Sequence, residues 1–328
     1  MKRMLVRLLA GLMAVSCWSL SAGIPGSSTM SFLRIEPDAR SMGMAGAVSA
    51  SVNDEFASFW NPAAISKVKG FEVGLSHIFW FSDMNGDIVS GAYTFPRIGS
   101  FGLSASALYP GTPAEALDAN ANPMNTTIDI GFYSVNLSYA IEPYLVRMGV
   151  TGAKLYLGGT VKYLYEKLYS YSKSAVAFDA AFLGESIFLE DVNFALVLRN
   201  LGPTVRLTKS AKPESLPFEY TVGLSYSYEF MTRSRDSMVL TPALDLSAPN
   251  DYKSTVFRFG MEASWKSGRQ DLSFAVRAGF ATPQDSLVQN GIRAGVGFQF
   301  KKVSVDYAFS FHDPLDNVHR LTLKYAFK

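Results

Sequence analysis

Apolar side chains occupy every second position in many segments along the chain. In residues 291–300, Val296 and Phe298 share one face, while Arg293 and Gln299 lie on the opposite face. A period of two is typical of a β-strand with one apolar face. About fourteen segments show this period, and each is near the ~10 residues that cross a membrane as a strand. The predicted strands are 70–81, 86–95, 100–109, 127–140, 151–166, 170–183, 190–199, 217–230, 237–247, 254–266, 271–281, 290–300, 303–312 and 319–327.

The composition indicates what the apolar faces of these strands contact. The chain of 328 residues is 48% hydrophobic and only 18% charged, whereas an average soluble domain carries roughly 25% charged residues. Beyond residue 22, no stretch approaches the ~18 apolar residues of a membrane-spanning helix. A soluble all-β protein would alternate too, but its outward positions should be rich in Lys and Glu. In this chain, Gly, Ser, Ala and Thr fill many of the positions on the strand faces opposite the apolar faces. We therefore expect an all-β fold, a transmembrane antiparallel β-barrel of about 14 strands over residues 70–328.

The lengths of the connections between the strands give an independent check. An even strand count places both termini on the periplasmic side, so connections after odd-numbered strands are external and long. The two longest connections, 110–126 and 200–216, both follow odd-numbered predicted strands. The short connections at 96–99, 267–269 and 301–302 all follow even-numbered strands. This phase agrees with a barrel in an outer membrane.

The first 22 residues have the order of a secretory signal peptide. Lys2 and Arg3 precede the apolar stretch 8–15, and small residues follow at 19–23. This order predicts export by a signal peptide, and with the barrel it predicts the outer membrane of a Gram-negative (diderm) bacterium. The alternatives are a helical anchor, for which the apolar stretch is short, and a lipid attached at Cys17, the only cysteine.

Residues 23–69 fit neither a strand nor a long helix. The small-residue run 43–51 permits close backbone packing, as a segment threaded into a lumen needs. A disordered periplasmic tail is the alternative, but the segment has many large apolar residues that need burial. We therefore expect an N-terminal plug (hatch) segment inside the barrel, with a helical turn over 54–60 capped at Asn53. Charges that could pin it to the wall are Arg34, Glu36, Asp38 and Arg40 on the segment, and Lys154, Lys162, Arg277 and Arg293 on the strands.

The same segment resembles a known family. The order FLRIEPDARSMGMAGA at 32–47, Asn53-Asp54, and FWNPA at 59–63 is similar to the N-terminal motif of PorV/PorQ-like outer-membrane proteins, which are relatives of the FadL long-chain fatty-acid transporters. Weaker matches extend over nearly the whole mature chain. The chain departs from the family at Ala64, where a glycine is common, and at Lys328, which follows the final aromatic residue. The resemblance implies a plug and lumen motif made of Arg40, Gly43, Gly46, Asn53, Asp54, Trp60, Asn61 and Pro62.

The resemblance implies two functions, and the sequence does not choose between them. The FadL side implies a hydrophobic, fatty-acid-like small molecule that passes a plugged barrel opening laterally or internally. The PorV side implies a non-transporting barrel that binds or shuttles cargo proteins for a type IX-like secretion system. Outer-membrane lipids and the barrel-assembly machinery are expected partners in both cases. A net charge of +2 without a basic cluster gives no indication of nucleic-acid binding.

We expect no enzyme activity, no cofactor and no metal site. Ser76 and His77 come nearest to a Ser–His pair, but adjacent residues of a strand point to opposite faces. The second glycine of a nucleophile elbow is also missing there. His312 and His319 flank a loop that contains two aspartates, which is typical of a solvated loop rather than a metal centre.

Overall fold

The computed structural model describes residues 28–112, 114–117, 123–143, 153–187, 189–206, 211–231, 236–252, 254–282, 291–311 and 317–327. The predicted signal peptide, Cys17 and His312 lie outside the described residues. The strands are β1 (Phe71–Trp80), β2 (Met84–Phe95), β3 (Gly99–Pro110), β4 (Ala114–Leu117), β5 (Pro123–Ile128), β6 (Ile130–Ile141), β7 (Lys154–Leu168), β8 (Tyr171–Glu185), β9 (Val192–Leu201), β10 (Glu219–Tyr226), β11 (Tyr228–Met231), β12 (Ser237–Pro249), β13 (Val256–Lys266), β14 (Leu272–Ala281), β15 (Ile292–Phe300), β16 (Val303–Ser310) and β17 (Val318–Phe327).

These strands form a closed antiparallel β-barrel. Strand β1 pairs with β17, and the pairing of β10 with β12 completes the circle. Strand β11 continues β10 after a break at Ser227, while β4 and β5 form a separate two-stranded hairpin. The wall therefore has fourteen strands, and the predicted fold class is confirmed.

The apolar faces of the strands point outward and the small or polar faces point into the lumen. On β15, Ile292 and Val296 are 57% and 52% exposed, whereas Arg293 and Gly295 between them are buried. The same alternation recurs around the barrel, so its outer surface is a belt of exposed Leu, Val, Ile, Phe and Tyr. In water such a belt would be costly, since apolar surface gains roughly 25 cal/mol per Å² when it leaves water. A bilayer removes that cost, and the surface is that of a membrane-spanning barrel.

Within the described ranges, no helix is long and apolar enough to cross a membrane.

The connections define two different ends of the barrel. The end that carries the connections 111–129 and 202–218 is called the loop end here, and the opposite end, with 96–98 and 301–302, is called the turn end. The predicted loop 110–126 is not wholly a loop, because it contains the β4–β5 hairpin. The connection 142–153 at the turn end is longer than the short turn expected there.

Residues 28–70, called the inner segment, lie inside the barrel. The segment contains a 3-10 helix (Ser31–Arg34), α1 (Ala39–Gly43), α2 (Ala57–Trp60) and a second 3-10 helix (Pro62–Lys67). Asp38 caps α1 by accepting a hydrogen bond from the Ser41 N–H at 3.1 Å, and Asn61 caps the second 3-10 helix. The predicted helical turn at 54–60 is shorter, and the prediction that Asn53 caps it is wrong. The residue before α2 is Phe56, and no side chain caps that end.

The inner segment runs the length of the lumen. At its start, the Thr29 N–H donates to the Ser215 carbonyl, which lies in a loop-end connection. At its end, the Thr94 N–H donates to the Gly70 carbonyl beside the turn end. Residue 28 therefore lies at the loop end, whereas the last strand finishes at the turn end, where Phe327 pairs with Phe71. The largest buried apolar cluster joins the segment to the wall: Met44, Val48, Trp60 and Ile65 pack with Ala92, Tyr156, Leu183 and Val197.

Candidate binding cavity and the inner segment

Small residues let α1 approach the wall. A Cβ added at Gly43 would lie 3.2 Å from the Cα of Gly295 on β15. A Cβ added at Gly279 on β14 would lie only 2.4 Å from the backbone carbon of Met44. Gly46 has a φ of +75°, a left-handed conformation that favours glycine. Glycines on both partners thus allow backbone-to-backbone contact.

A chain of alternating charges ties both ends of the 40–54 stretch to the barrel. Arg40 Nε lies 2.9 Å from Glu262 Oε2 on β13, and Arg277 Nε on β14 lies 2.6 Å from the same oxygen. Arg277 also pairs with Asp306 at 2.7 Å, and Asp306 pairs with Lys324 on β17 at 3.1 Å. Lys324 then contacts Asp54 Oδ2 of the inner segment at 3.2 Å.

Burial explains why these charges must be paired. A charge taken out of water is stable only when opposite charges and hydrogen bonds replace the solvent. Arg40 has such a partner in Glu262, whereas Glu55 is buried next to Asp54, which carries the same type of charge. One Glu55 carboxylate oxygen, Oε1, is buried without a hydrogen-bond partner among the described residues.

Trp60, Asn61 and Pro62 form the turn between the two last helices of the segment. The Asn61 side chain donates to the Ser49 carbonyl at 2.7 Å and accepts from the Ala63 N–H at 3.1 Å. The Trp60 ring is buried, and the Arg199 guanidinium of β9 lies 4.7 Å from its centroid. The Asn-Pro turn therefore folds the inner segment back, so that Asn61 contacts the earlier part of the segment at Ser49.

The residues of the predicted motif are not gathered at one point. Arg40 and Asp54 are joined through wall charges, Gly43 and Gly46 contact the wall or a neighbouring ring, and Trp60 to Pro62 form the fold-back turn. Asn53 is exposed at the turn end. Sequence reasoning gave no role to Glu262, Asp306 and Arg320, although the last two lie in weaker matches to the resembled family. The signal that could have found them is a charge at an inward position of an alternating strand.

A cavity lies in the loop-end half of the lumen. The volume of the cavity, counted as the space open to the centres of water-sized spheres, is about 50 Å³. On the same measure, one water molecule needs roughly 10–15 Å³. The cavity therefore holds only a few waters. The inner segment lines one side of the cavity with the apolar side chains of Phe32, Leu33, Ile35, Pro37, Phe59 and Trp60. The wall side consists mainly of Ile78, Ile88, Leu108 and small polar residues of β3 and β6, with Lys162, Arg199 and Arg320.

The outer wall has a groove directly behind this cavity. Ala105 and Ala107 of β3 are outward positions with short side chains, and their row neighbours Val89, Tyr133 and Val135 are larger. The groove measures about 610 Å³. Groove and cavity share four lining residues, namely Ile88, Ser106, Ala107 and Ser134. The β2–β3 and β3–β6 ladders are paired throughout this region, so the two spaces are separated by one layer of wall.

A polar vestibule of about 440 Å³ opens at the turn end. Charged side chains line it, among them Arg40, Asp54, Glu262, Arg277 and Lys324. The inner segment lies between this vestibule and the apolar cavity. A molecule that crosses the barrel must therefore displace part of the segment or leave through the wall.

Comparison with known proteins finds similarity in structure but not in sequence. No protein family and no curated protein matches the chain. The fold is similar to that of the toluene transporter TodX of P. putida, with a TM-score of 0.55, 10% identity, and coverage of 88% of this chain and 98% of that one. A TodX deletion mutant described as a monoaromatic hydrocarbon channel gives a TM-score of 0.55 at 11% identity, covering 88% and 99%. A FadL homologue of Pseudomonas aeruginosa gives 0.49 at 10% identity, covering 94% and 100%. The chain therefore has the fold of the TodX barrels.

Proposed function

We propose that this protein is a non-enzymatic outer-membrane barrel that lets a hydrophobic small molecule cross the outer membrane. The observation that carries the proposal is the apolar cavity enclosed between the inner segment and a thin part of the wall. Ligand sites in proteins are typically concave and mostly apolar, with a few polar groups. The similarity in fold to the toluene transporter TodX supports a hydrophobic substrate.

The thin wall supports a lateral route for that molecule. The inward side chains between cavity and groove are small, such as Ser106 and Ser134, and the outward ones are Ala105 and Ala107. A hydrophobic molecule that leaves through β3 enters lipid without meeting the charged vestibule. The internal route would instead require breaking the contacts of Arg40 and Asp54 with the wall.

A disulfide that joins two neighbouring strands of the wall tests the proposal. In the V89C/A105C variant, the two cysteines occupy paired outward positions of β2 and β3. The matched control, A278C/A294C, joins paired outward positions of β14 and β15. Uptake of labelled toluene and hexadecanoate into proteoliposomes is measured before and after reduction. We expect oxidation to slow uptake only in the first variant, and reduction to restore it.

Uptake no faster than in protein-free vesicles would contradict transport altogether. Equal uptake by the oxidised and reduced V89C/A105C protein would contradict the lateral route. The cargo-binding barrel implied by the PorV resemblance stays a prediction. Co-purification of secreted proteins with a type IX C-terminal domain, together with absent uptake, would favour it.

A further inference from the structure

Among the wall strands that the structure describes, Asp87 of β2 is the one carboxylate on the lipid-facing side of the barrel. The only other charged side chain at an outward position of these strands is Lys167 on β7, which pairs with Asp129. A charge that faces lipid is costly unless opposite charges and hydrogen bonds replace the water around it. Asp87 therefore needs polar partners on the outer surface.

The partners that the barrel itself supplies are neutral donors. His77 Nδ1 lies 2.7 Å from Asp87 Oδ1, and the Tyr109 hydroxyl donates to Asp87 Oδ2. No Lys or Arg of the described residues forms an ion pair with Asp87, and its side chain is still 55% exposed. A carboxylate offers about four acceptor sites, so Asp87 can accept from a further donor that approaches from the lipid.

The outer groove begins beside Asp87 and occupies two neighbouring rows of outward side chains. The row that contains Asp87 crosses β17, β1, β2, β3 and β6 as Leu321, His77, Asp87, Ala107 and Tyr133. The next row towards the turn end is wholly apolar and consists of Leu323, Leu75, Val89, Ala105 and Val135. All of these residues line the groove. Its polar side thus lies nearer the loop end, and its apolar side lies nearer the middle of the membrane.

This order matches that of a membrane lipid in the loop-end leaflet. Such a lipid has its polar head group at the membrane surface and its acyl chains towards the middle of the membrane. The groove faces the bilayer, so acyl chains are what fills it. Its volume of about 610 Å³ lies within the range of roughly 300–1,000 Å³ that is typical of ligand sites. The short side chains of Ala105 and Ala107 provide the depth for one chain.

The charge of this sector indicates which head group fits. Between residues 73 and 96, the only charged side chains are Asp83 and Asp87, and both are acidic. A primary ammonium group brings the opposite charge and three N–H donors, and a hydrogen bond between charged groups is stronger than a neutral one. A quaternary ammonium group brings the charge without an N–H donor, and an anionic head group would be repelled.

We propose that the outer groove is a binding site for a membrane lipid with a primary ammonium head group, which Asp87 holds while one acyl chain lies along Val89 and Ala105. The site goes beyond the proposed transport, because it faces the bilayer and takes a lipid whether or not a molecule crosses the barrel. A molecule that leaves through β3 would displace this chain.

Phosphatidylethanolamine and phosphatidylcholine with identical acyl chains test the proposal, because they differ only in the N–H donors of the head group. The purified full barrel in a neutral detergent is titrated with each lipid, and native mass spectrometry measures how much lipid each barrel retains. Asp87→Asn removes the charge and keeps the shape. Its matched control is Asp83→Asn, since Asp83 is an exposed acid of the β1–β2 turn that does not line the groove.

A second pair of variants tests the groove. Ala107→Phe fills it, and Ala294→Phe is the control, since Ala294 is an exposed outward alanine of β15 that lies outside the groove. Heat-modifiable migration on gels confirms that each variant is a folded barrel.

We expect the wild type to retain the ethanolamine lipid roughly five- to tenfold more tightly than the choline lipid. Asp87→Asn should bring this ratio close to one and leave retention of the choline lipid unchanged, whereas Asp83→Asn should keep the ratio. Ala107→Phe should lower retention of both lipids severalfold, and Ala294→Phe should not.

Three results would overturn the proposal. The first is equal retention of the two lipids by the wild type. The second is a loss of preference in Asp83→Asn as large as that in Asp87→Asn. The third is wild-type retention of both lipids by Ala107→Phe. Uptake of toluene and hexadecanoate by the wild type measures transport separately, so the lipid site and the proposed function can fail independently.

Discussion

The inner segment meets two very different sectors of the barrel wall. On β13 to β17, called the charged sector, several inward side chains are charged, and Arg40 and Asp54 of the segment form ion pairs with them. On β2, β3 and β6, called the hydroxyl sector, the inward side chains are uncharged and include several hydroxyls, and their hydrogen bonds with the segment are neutral. Ser90 donates to the Glu55 carbonyl at 2.7 Å, and Ser58 lies 3.3 Å from Ser104.

This difference indicates which sector holds the inner segment in place and which sector of the wall can open. Breaking a buried ion pair leaves a charge without a partner, which costs several times as much as losing a neutral hydrogen bond. The charged sector therefore fixes the segment. The hydroxyl sector, where the cavity and the outer groove lie, is the part of the wall that can change at low cost.

Deletion of residues 24–66 should have the largest effect, because it removes the segment from both sectors at once. We expect permeability to small hydrophilic solutes to rise by roughly an order of magnitude or more, since an empty fourteen-stranded lumen is wider than a small side-chain-filled barrel. Swelling of proteoliposomes in sugars and single-channel conductance measure it. An unchanged conductance would show that the segment does not close the lumen.

The charged sector is tested by Glu262→Gln. The change leaves Arg40 and Arg277 without the carboxylate they share. We expect a loss of about 3 kcal/mol in the free energy of unfolding, the lower end for a broken buried pair because Glu262 borders the vestibule. Urea titration of barrels refolded into vesicles measures it.

Ser104→Ala is the matched change in the hydroxyl sector. It removes neutral hydrogen bonds with Ser58 and Asn136, and about 1 kcal/mol is expected. Equal losses in Glu262→Gln and Ser104→Ala would abolish the distinction between the two sectors.

Close backbone packing in the charged sector is tested by Gly279→Ala. The added methyl group would lie 2.4 Å from the Met44 backbone, so about 1–3 kcal/mol of destabilisation is expected from overpacking. Gly91→Ala is the control, since its nearest neighbour would lie at an ordinary 3.6 Å. The same urea titration compares the two, and a Gly91→Ala effect as large as that of Gly279→Ala would show that packing against α1 is not the cause.

The barrel itself was largely predictable from the sequence. Alternation is a local property, and positions such as Val296 and Arg293 reveal their faces by their spacing alone. The β4–β5 hairpin and the break at Ser227 were not predicted, since short or interrupted pairings depend on neighbouring strands rather than on local period. The cap predicted at Asn53 was wrong because the helix begins at Ala57, and a capping residue must directly precede the first helical residue.

By itself, the sequence determined a lipid-facing antiparallel barrel and a segment with large apolar residues that had to be buried, because both follow from the order of apolar and polar side chains. Only the tertiary structure decided which charges pair and that the segment begins at the loop end. These depend on contacts between residues far apart in the chain, such as Arg40 with Glu262, whose proximity no local pattern records.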